Sequence, residues 1–298
     1  MNATTEIPAW LRALYPFSPR LFQTPDGAQM SYLDEGPQTD EAVLMLHGNP
    51  TWSFYYRELV QTLAPRLRCI VPDHVGMGLS EKPENYRYDL ATRIRDIEAL
   101  VDHLGLKKIH LVVHDWGGAI GLGFAGRHPG MIGKMVILNT AAFESPHIPT
   151  SILLCKAPVV GPFLVRAFNA FAWPATWMAM HQRKLSQDEK RALLFPYNSW
   201  ANRVAVSAFV RDIPLDVLHP SWGTLKEVEA GLAQFRNTSP LILWGAEDFC
   251  FNDYFLERWK ELLPHASIHR LAGAGHYVLL DARDDVIPKA SSYLLAGL

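Results

Sequence analysis

His110-Leu-Val-Val-His-Asp-Trp-Gly-Gly-Ala-Ile120 is an apolar, β-branched run that breaks abruptly into a helix-like start, with Asp115 at the break and Gly117 and Gly118 behind it. A strand that turns sharply into a helix sets one side chain at the strand tip. Small neighbours make room for it, the arrangement called a nucleophile elbow and usually written G-x-S-x-G. Here an aspartate occupies the serine position. Asp is also a common helix cap, so the reactive reading depends on partners elsewhere in the chain.

Outward from this elbow, short apolar runs alternate with longer helical patterns, the mark of parallel βαβ units. The strands expected are Ala42–Leu46, Cys69–Pro72, Ile109–Val113, Lys134–Leu138, Leu241–Trp244 and Ser267–Leu271. A hairpin, Arg20–Thr24 and Gln29–Leu33, turns at Pro25-Asp26-Gly27. The expectation is an α/β fold with a mostly parallel eight-stranded sheet flanked by helices. From about Glu144 to Thr224 the alternation stops and Pro, Trp, Phe and Met accumulate. A structureless loop of that length is improbable, so residues 144–224 read as an inserted helical cap on a core of residues 1–143 and 225–298.

A carboxylate nucleophile suits displacement at a saturated carbon: it forms an alkyl ester, which a base and water can then cleave. The base expected is His276, in Ala272-Gly-Ala-Gly-His-Tyr after the last strand, where a triad histidine arrives last in chain order. A lone histidine is otherwise an ordinary surface or core residue. The acid that orients it is Asp248, after the seventh strand, with adjacent Glu247 as rival. The loop after strand six, Asn139-Thr-Ala-Ala-Phe, offers no carboxylate before Glu144. An anionic leaving group needs donors already in place. Asn49, in Leu46-His-Gly-Asn-Pro, and the indole N–H of Trp116 are the candidates, against bland readings as a turn and a packing residue.

The formal net charge is −2 with no long like-charged run, which excludes a nucleic-acid footprint. Cys69, Cys155 and Cys250 are scattered, which argues against a disulfide framework or structural zinc and favours a reducing, cytoplasmic setting. The N-terminal MNATTEIPAWLRALYPF reads as a short amphipathic lead-in and not an export signal. Pro146–Met180 is apolar and aromatic, but Lys156, Arg166 and four prolines break it below the length of a spanning helix. It reads as short helices over an apolar pocket, with interfacial membrane contact as the alternative.

Four stretches, HGNPTWSFYYR from His47, VPDHVGMGLS from Val71, VHDWGG from Val113 and AGHY from Ala274, resemble the haloalkane dehalogenase family of α/β-hydrolases. The resemblance implies Asp115 as nucleophile, His276 as base, Asp248 as acid, and Asn49 with Trp116 holding the leaving group. In the cap, Ile152-Leu-Leu-Cys-Lys-Ala-Pro, Phe195-Pro-Tyr-Asn-Ser-Trp and Phe209-Val-Arg-Asp-Ile-Pro-Leu, with Asp248-Phe-Cys-Phe, are similar to the third subfamily. That subfamily includes the β-lactone decarboxylases of bacterial long-chain olefin biosynthesis. The resemblance therefore implies conversion of a cis-3-alkyl-4-alkyl-oxetan-2-one to a cis-alkene and carbon dioxide, without metal or organic cofactor. It also implies assembly with condensing and β-lactone-forming enzymes. Haloalkane hydrolysis is the alternative, with an epoxide hydrolase using Tyr197 as phenolic donor, or a non-catalytic binding module, behind it. Phe163, Phe168, Phe171, Trp173, Trp177 and Met178 are expected to suit two alkyl arms or a core.

Overall fold

A computed structural model describes residues 7–297, so the first six residues of the lead-in lie outside it. Eight strands, β1 (Arg20–Gln23), β2 (Gln29–Glu35), β3 (Glu41–Leu46), β4 (Arg68–Pro72), β5 (Lys108–Val113), β6 (Ile132–Ile137), β7 (Leu241–Gly245) and β8 (Ser267–Leu271), form one sheet in the order β1-β2-β4-β3-β5-β6-β7-β8. The hairpin β1–β2 joins β4 antiparallel, and every pair from β4 to β8 is parallel. β3, β4, β5 and β7 are buried along nearly their whole length, as strands covered on both faces must be.

Strand limits expected from sequence fall within two residues of these. β2 runs on to Glu35 because Asp34, which looks like the start of a turn, is held by Arg68 at 2.8 and 3.0 Å and by Arg20 at 2.9 Å. β6 begins at Ile132, two residues early, and stops at Ile137.

Helices α1 (Ala9–Arg12), α2 (Arg57–Leu63), α3 (Leu90–His103) and α4 (Trp116–Arg127) precede β6. Between β6 and β7 come α5 (Thr150–Lys156), α6 (Val160–Phe168), α7 (Ala172–Met178), α8 (Gln187–Leu194), α9 (Val204–Arg211) and α10 (Trp222–Gly231). α10 packs against α3 and α4. The chain ends with α11 (Asp253–Leu262), α12 (Val278–Asp281) and α13 (Arg283–Leu295).

β3 is followed in sequence by its neighbour on one side, β4, and then by its neighbour on the other, β5. The loops leaving the C-terminal ends of β3 and β5 therefore diverge, and an open parallel sheet places its ligand crevice at such a switch point. The β3 loop carries Asn49 and the β5 loop carries Asp115.

Candidate active site

Asp115 stands between β5 and α4 at φ 51° and ψ −127°. A side chain rarely adopts positive φ, and residues held there cluster at functional sites. The surrounding backbone fixes it: Asp115 N donates to Asn139 O at 2.9 Å, and the Thr140 hydroxyl donates to Asp115 O. The elbow also needs two close approaches. A Cβ at Gly117 would lie 1.9 Å from Leu46 O, and one at Gly48 would lie 2.1 Å from Asp115 Oδ1. Only glycine fits at either place.

Asp115 is buried, with its side chain 11% exposed. Its Oδ1 accepts the Asn49 backbone N–H at 2.7 Å, and the Trp116 backbone N–H lies close enough to favour the ionised carboxylate. Its Oδ2 lies 3.7 Å from His276 Nε2. His276 Nδ1 bonds Asp248 Oδ2 at 2.8 Å, while Asp248 Oδ1 accepts Cys250 N–H at 2.7 Å. Both oxygens of Asp248 are thus engaged, and Phe251 stacks on the imidazole with ring centres 5.7 Å apart. Burial raises the Asp115 pKa; the His276 charge and the two backbone N–H groups oppose it without cancelling it. Burial would lower the pKa of His276, but the charge and hydrogen bond of Asp248, with the charge of Asp115, leave it raised.

The five residues singled out from sequence meet in one crevice, and the rivals do not. Glu247 is exposed. Tyr197 is fully buried, its hydroxyl donating to Thr51 O at 3.1 Å and accepting Gly78 N–H at 3.3 Å, so the phenol required by the epoxide reading is occupied elsewhere. Asn49 and Trp116 act on Asp115 through their backbones, which side-chain reasoning did not anticipate. The Asn49 amide donates to Val206 O at 3.1 Å, and its Oδ1 is buried without a partner. Trp116 lines the adjoining cavity, its ring edge-on to Phe209 at 5.5 Å.

Two further residues had no signal beyond their residue type. Asn139 clamps the strand tips, accepting Gly245 N–H at 2.8 Å and donating to Gly245 O at 3.0 Å. Asp281 accepts N–H groups from His181, Gln182 and Arg183 at 2.8, 3.0 and 2.8 Å, and from Gly275 at 2.7 Å. It therefore ties the loop carrying His276 to the segment after α7.

Two cavities open from Asp115. Both are bordered by Asn49, Asp115, Ile152, Phe171 and Cys250. The larger continues past Phe143, Leu225 and Phe255; the smaller continues past Ala175, Met178 and Tyr277. The expected lining by cap aromatics needs correction. Of the six named, Phe171 and Met178 reach the cavities, whereas Phe163, Phe168, Trp173 and Trp177 are exposed. A carboxylate held by backbone donors, facing an imidazole and flanked by apolar space, can attack an electrophilic carbon on a hydrophobic molecule.

Residues 41–282 match the family described as alpha/beta hydrolase fold. The chain is 44% identical over 290 residues to a cis-3-alkyl-4-alkyloxetan-2-one decarboxylase of Shewanella oneidensis, covering 95% of this chain and 90% of that protein. It is 40% identical over 291 residues to the protein of the same name from Xanthomonas campestris pv. campestris, covering 94% and 97%. Among solved structures, a haloalkane dehalogenase from Bradyrhizobium elkani superposes with a TM-score of 0.82 at 25% identity, covering 94% and 98%.

Proposed function

We propose, from the premise that this chain belongs to the alpha/beta hydrolase fold family, that it is a decarboxylase converting cis-3-alkyl-4-alkyloxetan-2-ones to cis-alkenes and carbon dioxide. The observation that carries this reading is the fork: two apolar cavities diverge from one carboxylate, as a ring with two adjacent alkyl arms requires. The identity to decarboxylases supports the same substrate class.

Asp115 is the nucleophile. Its Oδ1 is held by the Asn49 N–H, so Oδ2 forms the bond to the ring carbon that carries the ring oxygen, from the opposite face. The carbon–oxygen bond breaks and the ring carboxylate leaves toward the Asn49 amide and Trp116. In the resulting ester, the electrons of the bond to the carboxylate form the alkene as the bond to Asp115 breaks. Carbon dioxide leaves and the Asp115 carboxylate is restored, with no proton, oxidant or cofactor consumed. Inversion followed by anti elimination yields cis-alkene from cis-lactone. Asp248 orients His276, which keeps the charge of Asp115 compensated.

A second reading, haloalkane hydrolysis, draws on the 3.7 Å between His276 Nε2 and Asp115 Oδ2, where a base could act on water against an alkyl ester. Residues 144–224 form the cap over a core of residues 1–143 and 225–298. Assembly with condensing and β-lactone-forming enzymes belongs to the same reading, as does a cytoplasmic setting for the three free thiols. The test is product analysis of purified enzyme on a synthetic cis-β-lactone beside 1-bromoalkanes and an epoxide. Cis-alkene and carbon dioxide are expected, abolished by Asp115→Asn. Trans-alkene, or hydroxy acid alone, would sink the proposal, and bromide release without alkene would establish the second reading.

A further inference from the structure

The short helices α5, α6 and α7 have two working faces. Ile152, Phe171 and Ala175 border the cavities, while Leu154 (56% exposed), Phe163 (52%), Phe168 (66%), Trp173 (56%) and Trp177 (45%) stand on the outer surface. The exposed rings are grouped. Phe163 lies edge-on to Phe168 at 5.7 Å and 6.3 Å from Trp200, and Trp173 and Trp177 are paired at 4.3 Å. Single exposed apolar residues need no explanation, but a cluster of this kind marks an interaction surface.

Charge identifies its occupant. From Thr150 to Met178, the span of α5–α7, there is no Asp or Glu, while Lys156 and Arg166 give two positive charges, the second paired with Glu84. The whole chain carries −2, which leaves −4 on the remainder. Basic and aromatic residues are thus segregated together on the cap of an otherwise acidic protein. That combination fits the interface of a bilayer with anionic headgroups, where apolar side chains sink among the acyl ends and Lys and Arg meet phosphate. Among the described residues no single helix is long and apolar enough to cross a membrane, and α5 and α6 meet at a bend of 98°.

We propose that the outer face of α5–α7 docks in plane on an anionic phospholipid bilayer. The docking rests on this surface alone. Its use, passage of a two-chain apolar substrate from the lipid into cavities bordered by the same helices, rests on the decarboxylase reading.

The full chain is sedimented with vesicles of phosphatidylcholine alone or with about 30% phosphatidylglycerol, an anionic fraction that attracts basic segments. Binding to the anionic vesicles, a blue shift of tryptophan emission and partial release by salt are expected. The triple variant Leu154→Glu, Phe163→Glu, Phe168→Glu should bind at least roughly ten-fold more weakly, since it removes both apolar contact and charge complementarity. None of the three lines a cavity, so an unchanged circular dichroism spectrum and unchanged turnover of a short-chain soluble substrate show that it is folded. Sedimentation with neither vesicle, or equal binding by the triple variant, overturns the proposal. So does a dimer in analytical ultracentrifugation that the triple variant dissociates while the wild type ignores vesicles, because a second copy would then cover the face. Vesicle binding is read without turnover, so failure of the decarboxylase reading leaves it standing.

Discussion

Asp115 combines two unfavourable conditions, a positive φ and burial of a carboxylate, and the first alone costs about 1–3 kcal/mol. Both are held in place by backbone donors, by Thr140 and by the imidazole opposite. The facing pair makes pH a means of separating the two chemistries. Hydrolysis of an alkyl ester needs neutral His276, whose pKa stands above its ordinary 6.5 because Asp248 and Asp115 outweigh burial. Bromide turnover should therefore fall as pH drops through that raised value. Alkene formation needs ionised Asp115, whose pKa burial raises from 3.8 against the opposing His276 charge, so its acid limb is set by a different group. Rates on a β-lactone and a 1-bromoalkane measured across pH should give separate acid limbs, and superimposed limbs would contradict this division of roles. His276→Gln should trap a covalent alkyl-enzyme with the bromoalkane, visible by mass spectrometry. The same variant should keep alkene formation within the roughly 10²-fold that a general base ordinarily contributes.

The elbow, the Asp248 loop and the His276 loop come from three distant parts of the chain, and polar clamps set their spacing. β6 and β7 share only two paired positions, Val136 with Leu241 and Ile137 with Ile242, and Asn139 extends that short ladder by bonding both polar groups of Gly245. Asp281 does the same for the His276 loop, accepting Gly275 N–H on one side and three cap N–H groups on the other. Asp281→Ala leaves buried donors without an acceptor and should destabilise by about 3 kcal/mol. It should also lower kcat more than it raises KM, because His276 loses its station while the cavities persist. Asn in that place should recover part of both. A Tm and a kcat/KM split measured together check this, and a variant that loses stability but keeps kcat would show Asp281 to be structural only. Strands, and the meeting of Asp115, Asp248 and His276, were legible from sequence because continuous apolar runs mark covered parallel strands and each of the three residues follows one. The clamps were not, since an Asn or Asp in a loop looks alike whether it faces water or bridges two loops.

For the whole molecule, the sequence conveyed that an apolar helical segment covers the site but not which way each ring points. Helices of seven to nine residues with prolines in or beside them carry too few turns to define a face, so Phe171 and Phe163 read alike although one borders the cavity and the other the solvent. Residues outside that segment, including Phe143, Phe251 and Phe255, also line the larger cavity. What results is a fork whose arms have separate walls: Ala141 borders only the larger cavity and Ala175 only the smaller. If each arm holds one alkyl chain, filling one should shorten the chain tolerated on that side alone. Each methylene excluded forfeits about 0.8 kcal/mol of burial, nearly four-fold in kcat/KM. Ala141→Phe and Ala175→Phe are therefore expected to invert the preference between two lactones that carry the same long and short chains at exchanged ring positions. Competition between the pair, read by mass spectrometry of the alkene and the residual lactone, measures this. Equal loss on both lactones with either variant would mean that the arms do not hold separate chains, and the argument from the fork to a two-armed substrate would fail with it.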